Sequence, residues 1–523
     1  MIEGQTSIFE MLYPTFKFTK PIRLIEFFAG YGSQALALKY LGVKFEHWKI
    51  CEWAIKSIQA YKDIHFTDED IKLNNKRTKE EMIEFLSRVG ISSNYNEPMT
   101  KQQISRLSED SLKTIIKNIA ITHNLVNIQQ VKGKDLEIVD TDKYDYMFTY
   151  SFPCQDLSLA GKGKGMSDTS TRSGLLWEVE RILTECKELG TMPQILLMEN
   201  VPQVHGADNV EDFNKWQLRL EELGYKNYWQ DLIATDYGIP QTRNRCFMIS
   251  ILGDYNYTFP KPIPLKLKLK DMLEDNVDEK YYLSDKMIDF FTHNAEKQKE
   301  KGNGFSFNVS DGNTIAKTVT TRAGSRMDDN FIGNRSLKET LEQNEIDDTC
   351  YIDTYNRRID KDKSGTITTG VSFRNNTFLA IKNATKKGYL EATDGDGIDL
   401  AHPNSKTRRG RVHKKAIQTL TTQNNLGVCV KGIATNESEE WQKPPLEEKS
   451  RTLLANKSNA GVGCIDTNLR IRKLTPKECF RLMGVKDEDF DKVKKKQSDS
   501  SLYHLAGDSI VVNVLIAIFR EML

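Results

Sequence analysis

Apolar residues in the first half of the chain fall into short runs that are separated by helical segments. Five runs predict buried strands, at residues 22–28, 45–51, 146–152, 195–198 and 246–251. Between the first two runs, the residues from Gln34 to Leu41 suit a helix that Gly42 ends. Strands that alternate with helices are typical of a parallel sheet with both faces covered. The pattern therefore predicts an α/β, Rossmann-like domain over residues 1–260.

A polar, charged stretch interrupts this alternation between residues 66 and 130. Its apolar residues recur at helical spacing, as Met82, Ile83, Phe85 and Leu86 do. The stretch carries no recognisable catalytic pattern. We expect a helical insertion on the surface of the first domain.

The composition changes at a proline-rich stretch, residues 259–264, which marks a domain boundary. Beyond it, a Thr-x-Thr-Thr run recurs at residues 318–321, 366–369 and 419–422, and Arg451–Leu454 repeats it more weakly. Each run favours a strand and is followed by turn residues, which predicts a smaller, β-rich domain over residues 261–468.

The last section, residues 469–523, is predicted to return to the first domain. Thr475 as N-cap, Pro476 at the first helical position and Glu478 two residues later form a strong helix start. A strongly apolar helix is expected from Leu505 to Leu523. Because such a helix is unstable in water, we expect it to dock on the first domain.

The composition is that of a soluble globular protein of 523 residues, with 38% hydrophobic and 28% charged residues. Lys and Arg number 74 against 73 Asp and Glu, so any nucleic-acid binding must come from local patches. One basic segment contains Arg408, Arg409 and Arg411, although such a run is more often a solvated loop. No apolar run approaches the roughly 20 residues of a membrane span, and a cytoplasmic location is expected. The eight cysteines show no CxxC pair, which predicts reduced thiols, no disulfide framework and no metal site.

Cys154 follows the predicted strand at residues 146–152 and the proline that ends it, Pro153. The glycine-rich stretch at residues 156–165 then predicts a loop. A cysteine at the carboxyl end of such a strand lies where open α/β sheets bind ligands. The alternative is that Cys154 is an ordinary small apolar residue.

The first predicted strand runs into a glycine turn, Phe28-Ala29-Gly30-Tyr31-Gly32. This strand, turn and helix arrangement brings the backbone close to a nucleoside-containing ligand. About 20 residues later, Glu52 can accept the hydroxyls of a ribose and Trp53 can stack on an adenine. Asp135 is a further candidate, for the adenine amino group. The alternative is a structural turn without a ligand.

Glu199 ends the strand at residues 195–198, as Cys154 follows the strand before it. Two strands of one sheet then present a carboxylate and a thiol at the same edge, although a strand-terminal Glu can also cap a helix. Arg243 and Arg245 lie just before the next predicted strand, at residues 246–251. Their spacing of two places them on one face of an extended segment, where both can grip an anion.

These segments, in this order, resemble the motifs of the DNA cytosine-5 methyltransferases of prokaryotic or phage type. The matching segments are Phe28–Gly32, Pro153–Gln155, Glu199–Val201, Gln241–Arg245, Arg472–Pro476 and Gly507–Ser509. Two positions depart from the family's usual pattern, because Glu26 replaces its more common Asp and Asp508 its more common Asn.

The resemblance implies an S-adenosylmethionine-dependent enzyme that methylates C5 of a cytosine flipped out of a specific duplex DNA sequence. Cys154 would add to C6, with Glu199, Arg243 and Arg245 in support. The β-rich domain would recognise the target, and any cognate restriction endonuclease would act as a separate protein; the sequence leaves open whether one exists. The chain is expected to act as a monomer. The expected cofactor residues are Phe28, Ala29, Gly30, Gly32, Glu52, Trp53, Asp135, Pro153, Asp508 and Ser509; the expected DNA contacts are Gln155, Ser158, Arg408, Arg409 and Arg411.

Three other functions fit the sequence less well. An RNA cytosine methyltransferase would use the same thiol and carboxylate. A nucleic-acid-binding protein with a decayed site would not need Cys154 and Glu199 intact. A nicotinamide-dependent oxidoreductase would give neither residue a role.

Overall fold

The computed structural model describes residues 13–67, 77–153, 173–302, 306–333 and 471–523, together with nine short strands between residues 351 and 466. The chain divides into two compact units. The first comprises residues 1–308, 312–331 and 473–523, and the second comprises residues 309–311 and 332–472. The predicted domain limits differ from this division, since residues 261–308 belong to the first unit.

The first unit is built on a six-stranded sheet in the order β2-β1-β3-β4-β6-β5. Strands β1 to β4 pair in parallel, whereas β6 is antiparallel to both β4 and β5. This confirms the predicted α/β class. The strands are β1 Ile22–Phe27, β2 Phe45–Cys51, β3 Asp145–Tyr150, β4 Ile195–Asn200, β5 Tyr225–Ile233 and β6 Asn244–Leu252.

Strand β5 was not predicted, because it is an edge strand with polar, half-exposed residues and no apolar run. Strands β1, β3 and β4 are buried along their whole length, as their continuous apolar runs indicate. The carboxyl ends of β1, β3 and β4 lie side by side, since Phe27 pairs with Tyr150 and Tyr150 with Met198. The side chains that follow these strands therefore meet at one edge of the sheet.

Twelve α-helices lie in the described residues. They are α1 Ser33–Leu41, α2 Ile55–His65, α3 Lys79–Val89, α4 Lys101–Ser105, α5 Glu109–Ile121, α6 Leu176–Leu189, α7 Val210–Leu223, α8 Asp285–Glu300, α9 Pro476–Leu482, α10 Asp487–Lys494, α11 Asp499–Asp508 and α12 Val512–Arg520.

Helices α3, α4 and α5 occupy the stretch that was predicted to be a helical insertion. Thr78 and Thr100 start α3 and α4 with reciprocal hydrogen bonds to Glu81 and Gln103. The apolar faces of the helices form a cluster of their own, against which the indole of Trp53 packs. The insertion thus has a small core beside the sheet.

The C-terminal segment from residue 473 belongs to the first unit, where α12 packs against α1. Its helix boundaries differ from the prediction, because the chain leaves the helix at Ser509 and a new helix starts at Val512. Thr475 caps α9 and exchanges hydrogen bonds with Glu478, as its sequence indicates. Within the described residues, Asp499–Arg520 is the one stretch long and apolar enough to cross a membrane, and 61% of its 18-residue apolar window is buried inside the protein.

The second unit is described by its strand pairing. Antiparallel pairs build sheets in the orders β10-β9, β12-β11-β17 and β14-β13-β15-β16, and β18, β8 and β7 form a further sheet. The strands are β7 Val309–Ser310, β8 Phe331–Gly333, β9 Tyr351–Asp353, β10 Arg358–Asp360, β11 Thr377–Lys382, β12 Tyr389–Ala392, β13 Gly397–Asp399, β14 Val412–His413, β15 Leu426–Val430, β16 Arg451–Leu454, β17 Ile465–Asp466 and β18 Ile471–Lys473.

The Thr-x-Thr-Thr prediction has two outcomes among the described residues. Arg451–Leu454 is strand β16, whereas residues 318–321 form no strand and belong to the first unit. There, the backbone N–H of Val319 donates to Oε1 of Gln241 over 2.8 Å, and its carbonyl accepts from Arg243. These side chains take the place of a partner strand. The runs at 366–369 and 419–422 lie outside the described residues.

Candidate active site

The glycine turn after β1 has a backbone that only glycine adopts easily. Phe28, Gly30 and Gly32 all have positive φ, at 56°, 55° and 83°. A Cβ on Gly32 would lie 2.5 Å from Nε2 of His65 and 2.6 Å from the ring of Tyr61, whereas a Cβ on Gly30 would meet nothing within 4 Å. Gly32 therefore permits close packing, and Gly30 faces open space.

The side chain of Glu52 binds the backbone of the glycine turn. Its carboxylate accepts the backbone N–H of Gly30 over 3.0 Å and that of Ala54 over 2.8 Å. Burial raises the pKa of Glu52 to about 7, an effect that these two hydrogen bonds partly offset. The expected ribose acceptor thus lies beside the turn.

A cleft connects the glycine turn with the C-terminal segment. The described residues that line it are Phe28, Ala29, Gly30, Ser33, Gln34, Ser57, Tyr95, Ser151, His504, Leu505, Asp508, Ser509 and Ile510. Five of the predicted cofactor residues are among them, namely Phe28, Ala29, Gly30, Asp508 and Ser509. The cleft lies at the carboxyl edge of the sheet, where open α/β sheets bind ligands.

The other five predicted cofactor residues are not in this lining, namely Gly32, Glu52, Trp53, Asp135 and Pro153. Asp135 accepts the backbone N–H of Lys132 over 2.9 Å and caps a short 3-10 helix, and it is not in the cleft lining. Trp53 packs against the insertion helices. Both side chains have local partners that the sequence pattern did not reveal.

The cleft also contains residues that sequence reasoning missed. The imidazole of His504 lies 3.0 Å from the carboxylate of Asp508, one helical turn away on α11. The ring of Tyr95, from the insertion, covers the same imidazole at a centroid distance of 3.8 Å. The spacing of four residues between His504 and Asp508 is a signal that a correct start for α11 would have exposed. No sequence pattern links Tyr95 to His504.

The ends of β3 and β4 are joined by their side chains. The hydroxyl of Ser151 donates to Glu199, and Nδ2 of Asn200 donates to the carbonyl of Phe152 over 3.0 Å. Ser151 also lines the cleft. The backbone that leads through Pro153 towards Cys154 is therefore fixed against the strand that carries Glu199.

Glu199 is buried, with 5% of its side chain exposed. Nε of Arg245 lies 3.1 Å from its Oε1 and balances its charge. Arg245 lies on β6, and Phe247, two residues further along this strand, pairs directly with Glu199. A buried carboxylate between a guanidinium and a hydroxyl is held in one orientation.

Arg243 was predicted to bind an anion together with Arg245. In the structure, its guanidinium instead binds backbone carbonyls. It is 4% exposed and donates to the carbonyls of Val319, Gly507 and Ser509 over 3.2, 3.0 and 2.7 Å. It lies before β6 starts, so the strand alternation that would pair it with Arg245 does not apply. The guanidinium instead fixes the C-terminal wall of the cleft.

Several predicted site residues lie outside the described residues, and their roles stay predictions. They are Cys154, Gln155, Ser158, Arg408, Arg409 and Arg411.

Comparison with known proteins decides the family. The family model for C-5 cytosine-specific DNA methylase matches residues 87–523. The chain belongs to this family. The predicted enzyme class, a DNA (cytosine-5) methyltransferase, is thereby confirmed.

Curated relatives of this methyltransferase agree with the family match. The type II methyltransferase M2.ScrFI of Lactococcus lactis subsp. cremoris is 38% identical over 270 residues, which are 51% of this chain and 71% of the relative. The orphan methyltransferase M.SssI of Spiroplasma monobiae is 38% identical over 272 residues, 51% of this chain and 68% of the relative. The orphan methyltransferase M.SPRI of Bacillus phage SPR is 24% identical over 460 residues, 79% of this chain and 90% of the relative.

Proposed function

We propose that this methyltransferase transfers a methyl group from S-adenosylmethionine to C5 of a cytosine that is flipped out of a specific duplex DNA sequence, through a covalent bond between Cys154 and C6. The observation that carries this proposal is the double role of Ser151. Its side chain lines the cofactor cleft and also donates a hydrogen bond to Glu199. A cofactor in the cleft and a base at Glu199 would then be neighbours.

The residues of the cleft, together with Glu52 beside the glycine turn, fit S-adenosylmethionine. Glu52 offers a carboxylate for ribose hydroxyls, and the space beside Gly30 is open. Asp508 offers a further negative charge, which suits a cationic ligand. When bound, this cofactor supplies an electrophilic methyl group.

Base activation is assigned to Cys154 and Glu199. C5 of cytosine is a weak nucleophile, and addition of a thiolate to C6 moves the electron pair of the C5–C6 double bond to C5. Glu199 would hydrogen-bond N3 and the exocyclic amine, where charge changes during this addition. After C5 has taken the methyl group, loss of its proton restores the double bond and releases the thiolate.

Arg245 supports both groups. A free cysteine has a pKa of about 8.5 and is mostly protonated at neutral pH. The guanidinium of Arg245 contacts Glu199, which accepts a hydrogen bond from Ser151, three residues before Cys154. A positive charge there would favour the thiolate and also hold Glu199 in place. Arg243 would act indirectly, by fixing the segment that carries Ser509.

The substrate is proposed to be double-stranded DNA in the cytoplasm. A thiol reaches C6 only from the face of the base, so the cytosine must leave the helix stack. Gln155 and Ser158, with the glycine-rich loop, are assigned to the DNA near the flipped base. The basic residues Arg408, Arg409 and Arg411 are assigned to the duplex beyond it. Action as a monomer, with any restriction endonuclease as a separate protein, completes the proposal.

Bisulfite sequencing of DNA from a methylation-free bacterial host tests this function. Expression of the chain should protect cytosines within one recurring sequence from deamination by bisulfite, and Cys154→Ala should abolish this protection. Cys186→Ala, which removes a buried thiol elsewhere, is the matched control. Soluble protein that protects no cytosine in DNA would contradict the proposal, and protection in RNA from the same cells would identify the rival substrate.

A further inference from the structure

Three side chains of types that bind transition metals meet beside the sheet, outside the cofactor cleft. They are His205, Asp231 and Cys246, and their ligand atoms all lie within 4.8 Å of one another. Nε2 of His205 is 2.9 Å from Oδ1 and 3.1 Å from Oδ2 of Asp231. No other group of three such residues was found in the part of the chain that the structure describes.

The sheet brings two of these residues together by its register. Asp231 on β5 and Cys246 on β6 are direct partners in the antiparallel pairing. Directly opposite residues project to the same face of a sheet, with Cβ atoms about 5 Å apart. The thiol and the carboxylate are therefore held by backbone hydrogen bonds on both strands.

The third residue, His205, comes from the 3-10 helix that follows β4. Its imidazole packs against the indole of Trp229, with a centroid distance of 4.7 Å and an angle of 35° between the ring planes. Trp229 lies two residues before Asp231 on β5 and so projects to the same face. The packing fixes the imidazole so that Nε2 faces the other two groups.

We propose that His205, Asp231 and Cys246 bind a zinc ion. Imidazole nitrogen, carboxylate oxygen and thiolate sulfur are the three ligand types that zinc uses in proteins, and a water can complete a tetrahedron. The ionised carboxylate and the thiolate together neutralise Zn²⁺. Cys246 is buried while His205 and Asp231 are 24% and 31% exposed, which leaves one open side for entry of the ion and for the water.

Burial raises the pKa of the Cys246 thiol, and hydrogen bonding to Asp231 acts in the same direction. Zinc binds the thiolate, so the Zn–S bond forms as the thiol proton is released to solvent.

The site is separate from the catalytic residues but is attached to the same strands. Cys246 pairs with Asn200 on its other side, and Asn200 follows Glu199. His205 lies six residues after Glu199 along the chain. A bound ion would therefore link β5 and β6 to the segment that follows β4, next to the residues that hold Glu199.

Zinc binding to the full chain, stripped of metal by a chelator under reducing conditions, tests the proposal. Zn²⁺ is titrated in competition with a chromogenic chelator, and Co²⁺ replaces it in a second titration for its thiolate-to-cobalt absorption. We expect one tightly bound ion per chain. His205→Gln and Cys246→Ser should each weaken binding about 100-fold or more, since even groups outside the coordination sphere typically contribute 10–100-fold.

Matched controls separate this site from other thiols and imidazoles. Cys186→Ser, His123→Gln and Cys154→Ser remove a buried thiol, an exposed imidazole and the proposed nucleophile. Each should leave the zinc affinity unchanged. His205→Gln removes a partly exposed side chain, and circular dichroism verifies that the variant is folded. A wild-type chain that binds no zinc, an affinity that survives loss of both His205 and Cys246, or one that depends on Cys154 would overturn the proposal.

Discussion

Glu199 and Arg245 form an ion pair at the edge of the central sheet, with Oε1 and Nε 3.1 Å apart. Ser151 donates to the same carboxylate from the neighbouring strand. The three residues come from the ends of three strands, so their mutual geometry is set by the sheet.

Glu199→Gln should lower the rate of methyl transfer by about 10²–10⁴-fold, the usual range for loss of a positioned acid or base. Cofactor affinity should change little, because Glu199 is not in the lining of the cleft. Single-turnover methyl incorporation and equilibrium cofactor binding measure the two effects. Glu221→Gln, at an exposed position, is the control. A Glu199→Gln enzyme with the wild-type rate would remove this residue from the mechanism.

Arg243→Leu should weaken cofactor binding and lower the free energy of unfolding by several kcal/mol. The variant leaves three backbone carbonyls without the guanidinium, and a buried group that loses its partner costs about 1–3 kcal/mol. Arg243→Lys should restore only part of the cofactor affinity and of the unfolding free energy, since an ammonium cannot reproduce the hydrogen bonds of the planar guanidinium. Urea denaturation and cofactor titration test this. Unchanged cofactor affinity in a destabilised variant would show that Arg243 does not position Ser509.

Gly32→Ala should be more destabilising than Gly42→Ala by about 2 kcal/mol or more. Both glycines have positive φ, 83° and 71°, so the backbone strain is similar. Only Gly32 has neighbours at 2.5 and 2.6 Å from the added Cβ, and overpacking typically costs about 1–3 kcal/mol. The midpoints of urea unfolding compare the two variants directly. Equal losses of stability would mean that His65 and Tyr61 move aside freely.

The pH dependence of the unfolding free energy should reveal the raised pKa of Glu26. Burial raises the pKa of Glu26 to about 7, although Tyr61 donates a 2.5 Å hydrogen bond to it. A carboxyl whose pKa is higher in the folded than in the unfolded state binds more protons when folded. Its contribution to stability is therefore present below pH 4.5 and is lost as pH rises towards about 7.

Glu26→Gln removes this titration. Relative to wild type, the variant should gain about 3 kcal/mol in unfolding free energy between pH 4.5 and pH 8, at about 1.4 kcal/mol for each pH unit of the shift. Comparison with wild type is needed because burial lowers the pKa of His47 to about 4, which gives the opposite slope in the acidic range. Glu221→Gln is the control. A stability difference that does not vary with pH would show that Glu26 titrates normally.

Runs rich in apolar residues predicted β1, β3 and β4, because strands buried on both faces are mostly apolar. The half-exposed edge strand β5 lacks that signal and was missed. The helix start at Thr475 was recognisable because a capping box is local in sequence. The position of residues 318–321 could not be recognised from the sequence, since it depends on the side chains of Gln241 and Arg243, which are remote along the chain.

The same distinction holds for the site. Glu199 and the glycine turn follow directly from strand ends, which is why their sequence context revealed them. The contact of Tyr95 with His504 joins residues that are distant in sequence and lie on separate elements. Asp135 shows the converse, because an acidic residue at a suitable distance along the chain serves as a local cap. The zinc ligands proposed above come from three segments without metal-binding spacing.

The most direct test of the central claim uses an oligonucleotide that contains the target sequence with 5-fluorocytosine at the methylated position. Fluorine at C5 cannot leave as the proton does, so the bond between enzyme and base should persist after methyl transfer. We predict a complex that survives denaturation, requires S-adenosylmethionine, and maps by mass spectrometry to Cys154. A complex on another residue, or full methylation of the normal sequence by the Cys154→Ala enzyme, would contradict the account.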